Sequence, residues 1–486
     1  MCDFDEMYSW VKDLPIIDWH NHLDMAMLAE DKPLGSLYEV WVKSDPYKHR
    51  AMRICGEPER VISDDVGEGE KWAAWMRTLP KLVGNPIFAW ARMELEWLGL
   101  DPLPYLHGTG ENVLLSNWTP SKLLKRFNVE YLSPCVQVGE EFFSHKDHKE
   151  HIEELFTNDK CHNCSQIRNT NILANSENST RSTCSTRIKI LPSLRLNAGD
   201  EVLIETLEKF HESGCRVVDV SVDDVTQLTT YNSQLSIVAA YAAVHGWTML
   251  LHLGALRETS ERLRAAAGSA GGFAGMRAAV DPAVVAAFLN ALEKTHNILS
   301  HKDHKEHIEE LFTNDNCHNC LQITNTNHLV NPENSTRSTC PTRLNNLEKP
   351  VNPVGNSLPR TILLSLNPEA HAQLAVLAGS FVEEGMPGKV QLGPAWWWCD
   401  HEEGIRDVLE KNAAYGVLST FIGMTTDSRS LLSFVRHDYF RRILCKWVAE
   451  KVASGAFPDD ESLLRPMLEN ICYKNAREMV LATKIF

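Results

Sequence analysis

This chain is short of positive charge: 48 lysines and arginines stand against 64 aspartates and glutamates, a formal net charge of −16. The long-range field of such a protein repels polyanions, so nucleic acid is excluded as a partner and an anionic membrane surface as a docking site. An anionic small molecule would have to be met by local arginines. Long unbroken apolar runs are also missing. The richest stretch, 235–256, is interrupted by His245, Gly246 and His252, which suits a buried helix followed by a strand better than a membrane span. The first ten residues, MCDFDEMYSW, carry no basic segment ahead of an apolar one, so no secretory signal is expected and a reducing, cytoplasmic setting is.

Tandem repetition is absent too, with one exception of another kind. Segment 144–187 recurs as 300–343, and only seven of the 44 positions differ, which points to one element inserted twice rather than to a solenoid. Six of the thirteen cysteines fall in these segments, leaving seven scattered ones that read as buried thiols. Each copy is polar, with one amphipathic stretch, HKEHIEELF. The pairs Cys161/Cys164 and Cys317/Cys320, with His145, His148 and His151 or their equivalents and with Cys184 or Cys340, could hold zinc. A single CxxC is a weak zinc pattern, and the composition cannot bury much apolar surface, so mobile excursions are the expectation.

What the chain does have is alternation. Strand-like pieces at 14–18, 129–132, 188–194, 216–220, 247–253, 361–365, 390–392 and 416–422 are separated by helical periodicity at 201–211, 233–244, 283–292, 371–384 and 405–412. Eight strands alternating with helices predict an α/β fold, a (β/α)8 TIM-like barrel. We expect 1–486 to be one elaborated barrel domain, with 25–128, rich in Trp and helix formers, as a helical excursion after the first strand. The duplicated segments would be two inserts outside that design.

The first strand ends in Leu14-Pro15-Ile16-Ile17-Asp18-Trp19-His20-Asn21-His22-Leu23-Asp24. Because side chains alternate along a strand, His20 and His22 leave one face at its C-terminal end, where barrel enzymes do their chemistry. Two histidines on an exposed turn would look the same, but the strand-like lead and the flanking aspartates favour a divalent metal. At the far end of the chain, Phe421-Ile422-Gly423-Met424-Thr425-Thr426-Asp427-Ser428-Arg429-Ser430 closes another candidate strand. First and last strands of a closed barrel are neighbours. Asp427 could therefore complete a site of two histidines and a carboxylate, or act as a base beside it, while Arg429 and Ser428 offer a fork and a hydroxyl to a substrate carboxylate. A turn in which Asp427 and Ser428 merely cap the next helix remains the alternative.

The wording of these motifs resembles the uronate isomerase (glucuronate isomerase) family of the amidohydrolase superfamily. The matching stretches are LPIIDWHNHLD, PYKHRAMR at 46–53, LPKLVGNPIFAW at 79–90, LLKRFNVEYL at 123–132, ILPSLR at 190–195, LHLGALR at 251–257, PGKVQLGPAWWW at 387–398 and MTTDSRSLLSFVRHDYFRRILC at 424–445. TDSRS followed by RHxYFRRILC is highly specific. The resemblance implies aldose–ketose isomerisation of hexuronates in sugar acid catabolism, D-glucuronate to D-fructuronate and D-galacturonate to D-tagaturonate. It further implies a divalent metal, zinc by preference, on His20, His22 and Asp427, and Tyr47 as the active-site tyrosine. Arg195 and Arg429 become substrate-binding arginines, Trp396 and Trp397 the paired tryptophans of the wall, and His252 and Arg257 residues of a matching strand end. The partner implied is a small uronate, with homo-oligomerisation left open.

The chain also departs from the family pattern. Pro46 stands where a His usually precedes the tyrosine, Ser133-Pro134-Cys135-Val136 replaces a TTDD-like strand end, Asp219-Val220-Ser221 a DHG-like stretch, and Ala255-Leu256-Arg257-Glu258-Thr259 an ALRNNN-like run. Two other readings follow: a weakened or inactive barrel of the same descent, for which Pro46 and Val220 argue, and a metal-dependent hydrolase, which lacks a bridging lysine and further histidines in convincing places.

Overall fold

The computed structural model describes residues 2–138, 188–197, 202–228, 233–257, 259–268, 272–299 and 358–481. The duplicated segments, with their cysteine pairs, lie outside the described residues. Seven parallel strands form the sheet: β1 (Ile16–Asn21), β2 (Val129–Gln137), β3 (Ser193–Asn197), β4 (Val217–Val222), β5 (Thr248–Leu253), β6 (Arg360–Ser365) and β7 (Val390–Leu392). They neighbour one another in that order, each paired in parallel with the next. A short piece, Lys189–Ile190, pairs with β2 ahead of β3, so the single strand expected at 188–194 is split in two.

Strands β1, β4 and β5 are buried along their whole length, as parallel strands covered on both faces must be; β4 and β5 are mostly apolar, whereas β1 buries Asp18, His20 and Asn21. Helices return the chain between strands: Ile204–Glu212 after β3, Ser233–Val244 after β4, Pro282–Leu299 after β5, His371–Ala378 after β6 and Glu402–Tyr415 after β7. The helix expected over 371–384 stops early. Gly379 ends it, and Gly385, at φ 74°, turns the chain back toward β7.

Between β1 and β2 the chain runs through a series of short helices. Four of them begin with a polar cap and proline at the first helical position: Asp45 before Pro46–Ile54, Asn85 before Pro86–Leu98, Asp101 before Pro102–Leu106 and Thr119 before Pro120–Arg126. The cap satisfies an orphan amide and the proline ring presets φ, so these helices start where the sequence says. The helices of this excursion, Leu37–Trp41 and Glu68–Thr78 among them, bury Trp41, Trp72, Trp75 and Trp90 in a second core that includes Ile16 of β1 and Val129 and Leu132 of β2.

An eighth strand expected at 416–422 is not formed. Leu418–Thr420 is a turn of 3-10 helix, and 421–428 runs on without a ladder between β7 and β1. Side chains do what backbone pairing does elsewhere. Gln391 on β7 accepts from Ile422 N–H at 2.9 Å and donates to Thr420 C=O at 3.5 Å. On the other side Asp427 N–H donates to His20 C=O (3.1 Å) and His22 N–H to Ser428 C=O (2.8 Å). Gly423 at φ 75° and Asp427 at φ 46° are left-handed, which an extended strand cannot accommodate. This stretch nevertheless fills the eighth position and closes the barrel.

Candidate active site

Asp18, His20 and His22 share the inner face of the first stave by alternation. Asp18 is fully buried and works as a clamp. Its carboxylate accepts from Thr425 Oγ1 (2.9 Å), Thr426 N–H (2.7 Å), Thr426 Oγ1 (2.8 Å) and Asn21 Nδ2 (2.9 Å), with His437 Nε2 at 3.2 Å. These bonds pin 425–426 against β1. The left-handed backbone at Asp427 then turns its carboxylate inward, placing Oδ1 3.1 Å from His20 Nε2 and 2.9 Å from His22 Nε2.

Burial opposes ionisation of Asp427, but the two histidines hold it well below the usual carboxylate range. Burial, with the charges of Arg195 and His20, pushes His22 down to about 4 against the pull of Asp427. His20 is moved the other way: burial opposes its protonation, while Cys135, Asp219 and Asp427 raise it.

Strands β3 to β5 supply the opposite wall. Register sets Arg195 beside Asp219 and Ser221 beside His252. Arg195 Nη1 donates to Asp219 Oδ2 at 2.6 Å and lies 3.4 Å from His22 Nε2, while its Nη2 donates to Ser221 Oγ at 3.1 Å. The other Asp219 oxygen is 2.6 Å from His252 Nδ1. Although burial opposes its ionisation, Asp219 is held far below the usual carboxylate range by Arg195 and His252, and burial lowers His252.

Trp396 meets the His252 ring edge-on at 4.5 Å, and Trp397, at φ 49°, carries the Arg257 guanidinium 5.0 Å over its ring. Arg257 also donates to Asp223 Oδ1 (2.9 Å) and Ser221 Oγ (3.2 Å). Arg429 is exposed at the mouth, where partial desolvation and the like charge of Arg195 disfavour its ionised form.

Of the residues singled out in the sequence, His20, His22, Asp427, Arg195 and His252 thus form one contiguous cluster, with Arg257, Trp396 and Trp397 along its edge. Ser428 and Tyr47 are placed differently. The Ser428 hydroxyl donates to Ser433 Oγ at 2.7 Å and accepts from Ser430 N–H at 3.1 Å, so it is engaged in the turn itself. Tyr47 packs edge-on against Trp90 and Trp398, its hydroxyl is buried without a partner among the described residues, and burial raises it well above its ordinary value. A cavity of about 260 Å³ opens beside it, between Arg50, Trp397, Trp398 and Asp400. Sequence reading missed Asp219, Ser221 and Cys135 as members of the cluster. The available signal was polar residues at period two within an apolar strand, Val217-Val218-Asp219-Val220-Ser221-Val222. Val220 falls on the alternate face of that strand, in the apolar core.

Two carboxylates adjoin His20, and their surroundings differ. Both Asp219 oxygens are taken by Arg195 and His252, whereas Asp427 faces two imidazoles whose burial and separation suit coordination. Ligand atoms around a tetrahedral divalent ion with bonds of about 2.0–2.2 Å lie about 3.3 Å apart, and the Asp427 carboxylate oxygen stands 3.1 and 2.9 Å from the two Nε2 atoms. Among the described residues, two groups of donors lie close enough together to hold a divalent ion, His20 with His22 and Cys135 and His20 with Asp219 and His252, and Asp427 stands between the two histidines of the first.

The family model described as glucuronate isomerase matches residues 3–243 and 336–480. The chain belongs to the glucuronate isomerase family. Uronate isomerase from Caldicellulosiruptor bescii is 30% identical over 515 residues, covering 97% of this chain and 95% of that protein. The Caldicellulosiruptor saccharolyticus protein of the same name is 29% identical over 514 residues with the same coverage. In fold, this family member is similar to the crystal structure of uronate isomerase from Thermotoga maritima, with a TM-score of 0.68 at 20% identity over 98% of this chain and 97% of that one. Glucuronate isomerase from Caulobacter crescentus gives 0.67 at 17% identity, over 98% and 93%.

Proposed function

We propose that this glucuronate isomerase family member interconverts hexuronate aldoses and ketoses, D-glucuronate with D-fructuronate and D-galacturonate with D-tagaturonate. The observation that carries the proposal is the seat of Asp427 between His20 and His22, opposite Arg195. Isomerisation moves a proton from C2 to C1 of the open-chain sugar and passes through an enediolate, so the site needs a base, a proton donor and positive charge. Asp427, ionised throughout the neutral range, supplies the base. Tyr47 keeps its proton at neutral pH and has no protein partner, which suits it to donate to a substrate oxygen. Arg195 and Arg429 receive the substrate carboxylate: Arg195 is fixed by Asp219 and Ser221, and Arg429 stands at the mouth. His20, His22 and Asp427 would hold a divalent metal, zinc in our reading, and such an ion would supply Lewis acidity toward a substrate oxygen.

Among the described residues no helix is long and apolar enough to cross a membrane. The test is direct. Purified protein incubated with D-glucuronate or D-galacturonate, with zinc or manganese added, should form ketose. Well-folded protein that forms none overturns the proposal in favour of a barrel that has kept the site and lost the reaction.

A further inference from the structure

Cys135 lies at the end of β2, half-buried, with its sulfur in the middle of the cluster. Sγ is 3.2 Å from His20 Nδ1, 3.3 Å from Ser193 Oγ and 3.8 Å from Asp219 Oδ2. Asp427 sits at the other nitrogen of the same ring, Nε2, at 3.1 Å. The imidazole of His20 is thus gripped from both sides, by sulfur on one edge and by the carboxylate of the metal-binding set on the other. Register accounts for the sulfur: Cys135 pairs with Ser193 on β3, one position from the Leu194 and Val218 pair that brings Asp219 into line.

We infer that Cys135 is a positioning residue for the metal-binding histidine, its sulfur accepting the His20 Nδ1–H and so fixing the tautomer that leaves Nε2 bare for the ion. The inference rests on the reading of His20, His22 and Asp427 as the metal site. A metal on Nε2 requires the proton on Nδ1, and the nearest acceptor to Nδ1 is this sulfur. The thiol has an acceptor of its own in Asp219 Oδ2 at 3.8 Å, an oxygen held by Arg195 while His252 holds the other. The chain His20, Cys135, Asp219 does with a thiol what a carboxylate usually does behind a metal-bound histidine, and such outer partners typically change metal affinity by about 10- to 100-fold. The sulfur also stands with His20 and His22 in a group whose donors could hold an ion directly, and that role differs from the positioning one by the sulfur-to-metal absorption it would give.

Cobalt(II) titration of the full chain, followed by calorimetry and absorption, tests this. Wild type should bind one cobalt without sulfur-to-cobalt charge-transfer absorption in the near ultraviolet. Cys135→Val, which removes donor and acceptor, should weaken binding by about 10- to 100-fold. Cys135→Ser, which keeps both, should recover most of that loss. Cys135→Ala serves in place of the valine variant if the latter does not fold. Equal affinities for wild type and Cys135→Val overturn the inference, as does a serine variant as weak as the valine one. A charge-transfer band in wild type that disappears in Cys135→Ser overturns it in another way, by making sulfur a ligand. Wild type that binds no cobalt brings down the metal reading itself, an outcome distinct from the others.

Discussion

The two halves of the barrel are built by different means. From β3 to β6 the staves are joined by continuous ladders; β4 and β5 pair over six consecutive residues, Val217 to Val222 against Thr248 to Leu253. At the seam between β7 and β1 the ladder is gone, and 421–428 is held by Gln391, by Asp18 and by a few backbone bonds. The laddered half holds the arginine and the second histidine rigidly through register. The seam holds the one carboxylate that faces the HxH pair, at a backbone angle a strand could not give. Regular pairing thus fixes a frame, and the irregular stave aims the Asp427 carboxylate at the two imidazoles.

The sharpest way to break the comparison is Asp427→Asn. It keeps shape and backbone preference but removes the charge, so ketose formation should fall by at least about 100-fold with the circular dichroism spectrum unchanged. Near-normal turnover would show that the seam does not carry the base or ligand.

Next in size is a pair of substitutions, one in each half. Asp18→Ala strips the seam of its acceptor and leaves five donors facing a void. It should cost about 3–5 kcal/mol in denaturant unfolding, and metal affinity should fall with it. Leu251→Ala, fully buried on β5 and on the face away from the cluster, should cost about 2–5 kcal/mol and leave metal affinity unchanged. If Leu251→Ala weakened the metal as much as Asp18→Ala did, the two halves would not be separable.

Arg429→Lys keeps the charge at the mouth and loses the planar fork. KM for glucuronate should rise by about tenfold, the scale of one charge-assisted hydrogen bond, with no change in melting temperature. An unchanged KM would move the substrate carboxylate to Arg195 and Arg257, that is, wholly onto the laddered half.

The smallest effect is expected from shortening 300–343 to a Gly/Ser linker, because the near-identity of the two copies does not suit two different environments in one barrel. Folding and turnover should both survive. Unfolding of the shortened chain, or stoichiometric zinc on Cys317 and Cys320, would make that segment part of the frame.

The laddered half was also the legible one. Runs such as Thr248 to Leu253 declare a buried parallel strand by composition alone, and the polar caps before proline mark helix starts. The HxH at a strand end and the TDSRS stretch stood out because histidine and aspartate are dear to bury without a task. What could not be read was the seam itself. Residues 416–422 look like a strand by apolar content, yet Val417 is exposed and Leu418–Thr420 coils, and the side chain of Gln391, 31 residues before Ile422, stands in for the missing ladder. Cys135 was equally hidden, because a thiol in an apolar stretch reads as core until register sets it against His20.

The left-handed backbone at Asp427 has a consequence for how such a site drifts through a lineage. Aspartate and asparagine tolerate this region better than other non-glycine residues, and glycine enters it freely. A glutamate would carry the same charge into a conformation it resists, and its longer arm would overshoot the two imidazoles. Single-step losses of the carboxylate, to asparagine or glycine, are therefore conformationally easy, while aspartate is the only acid the turn readily accepts. A descendant that lost this charge could keep a sound barrel for a long time, and only aspartate would bring the charge back.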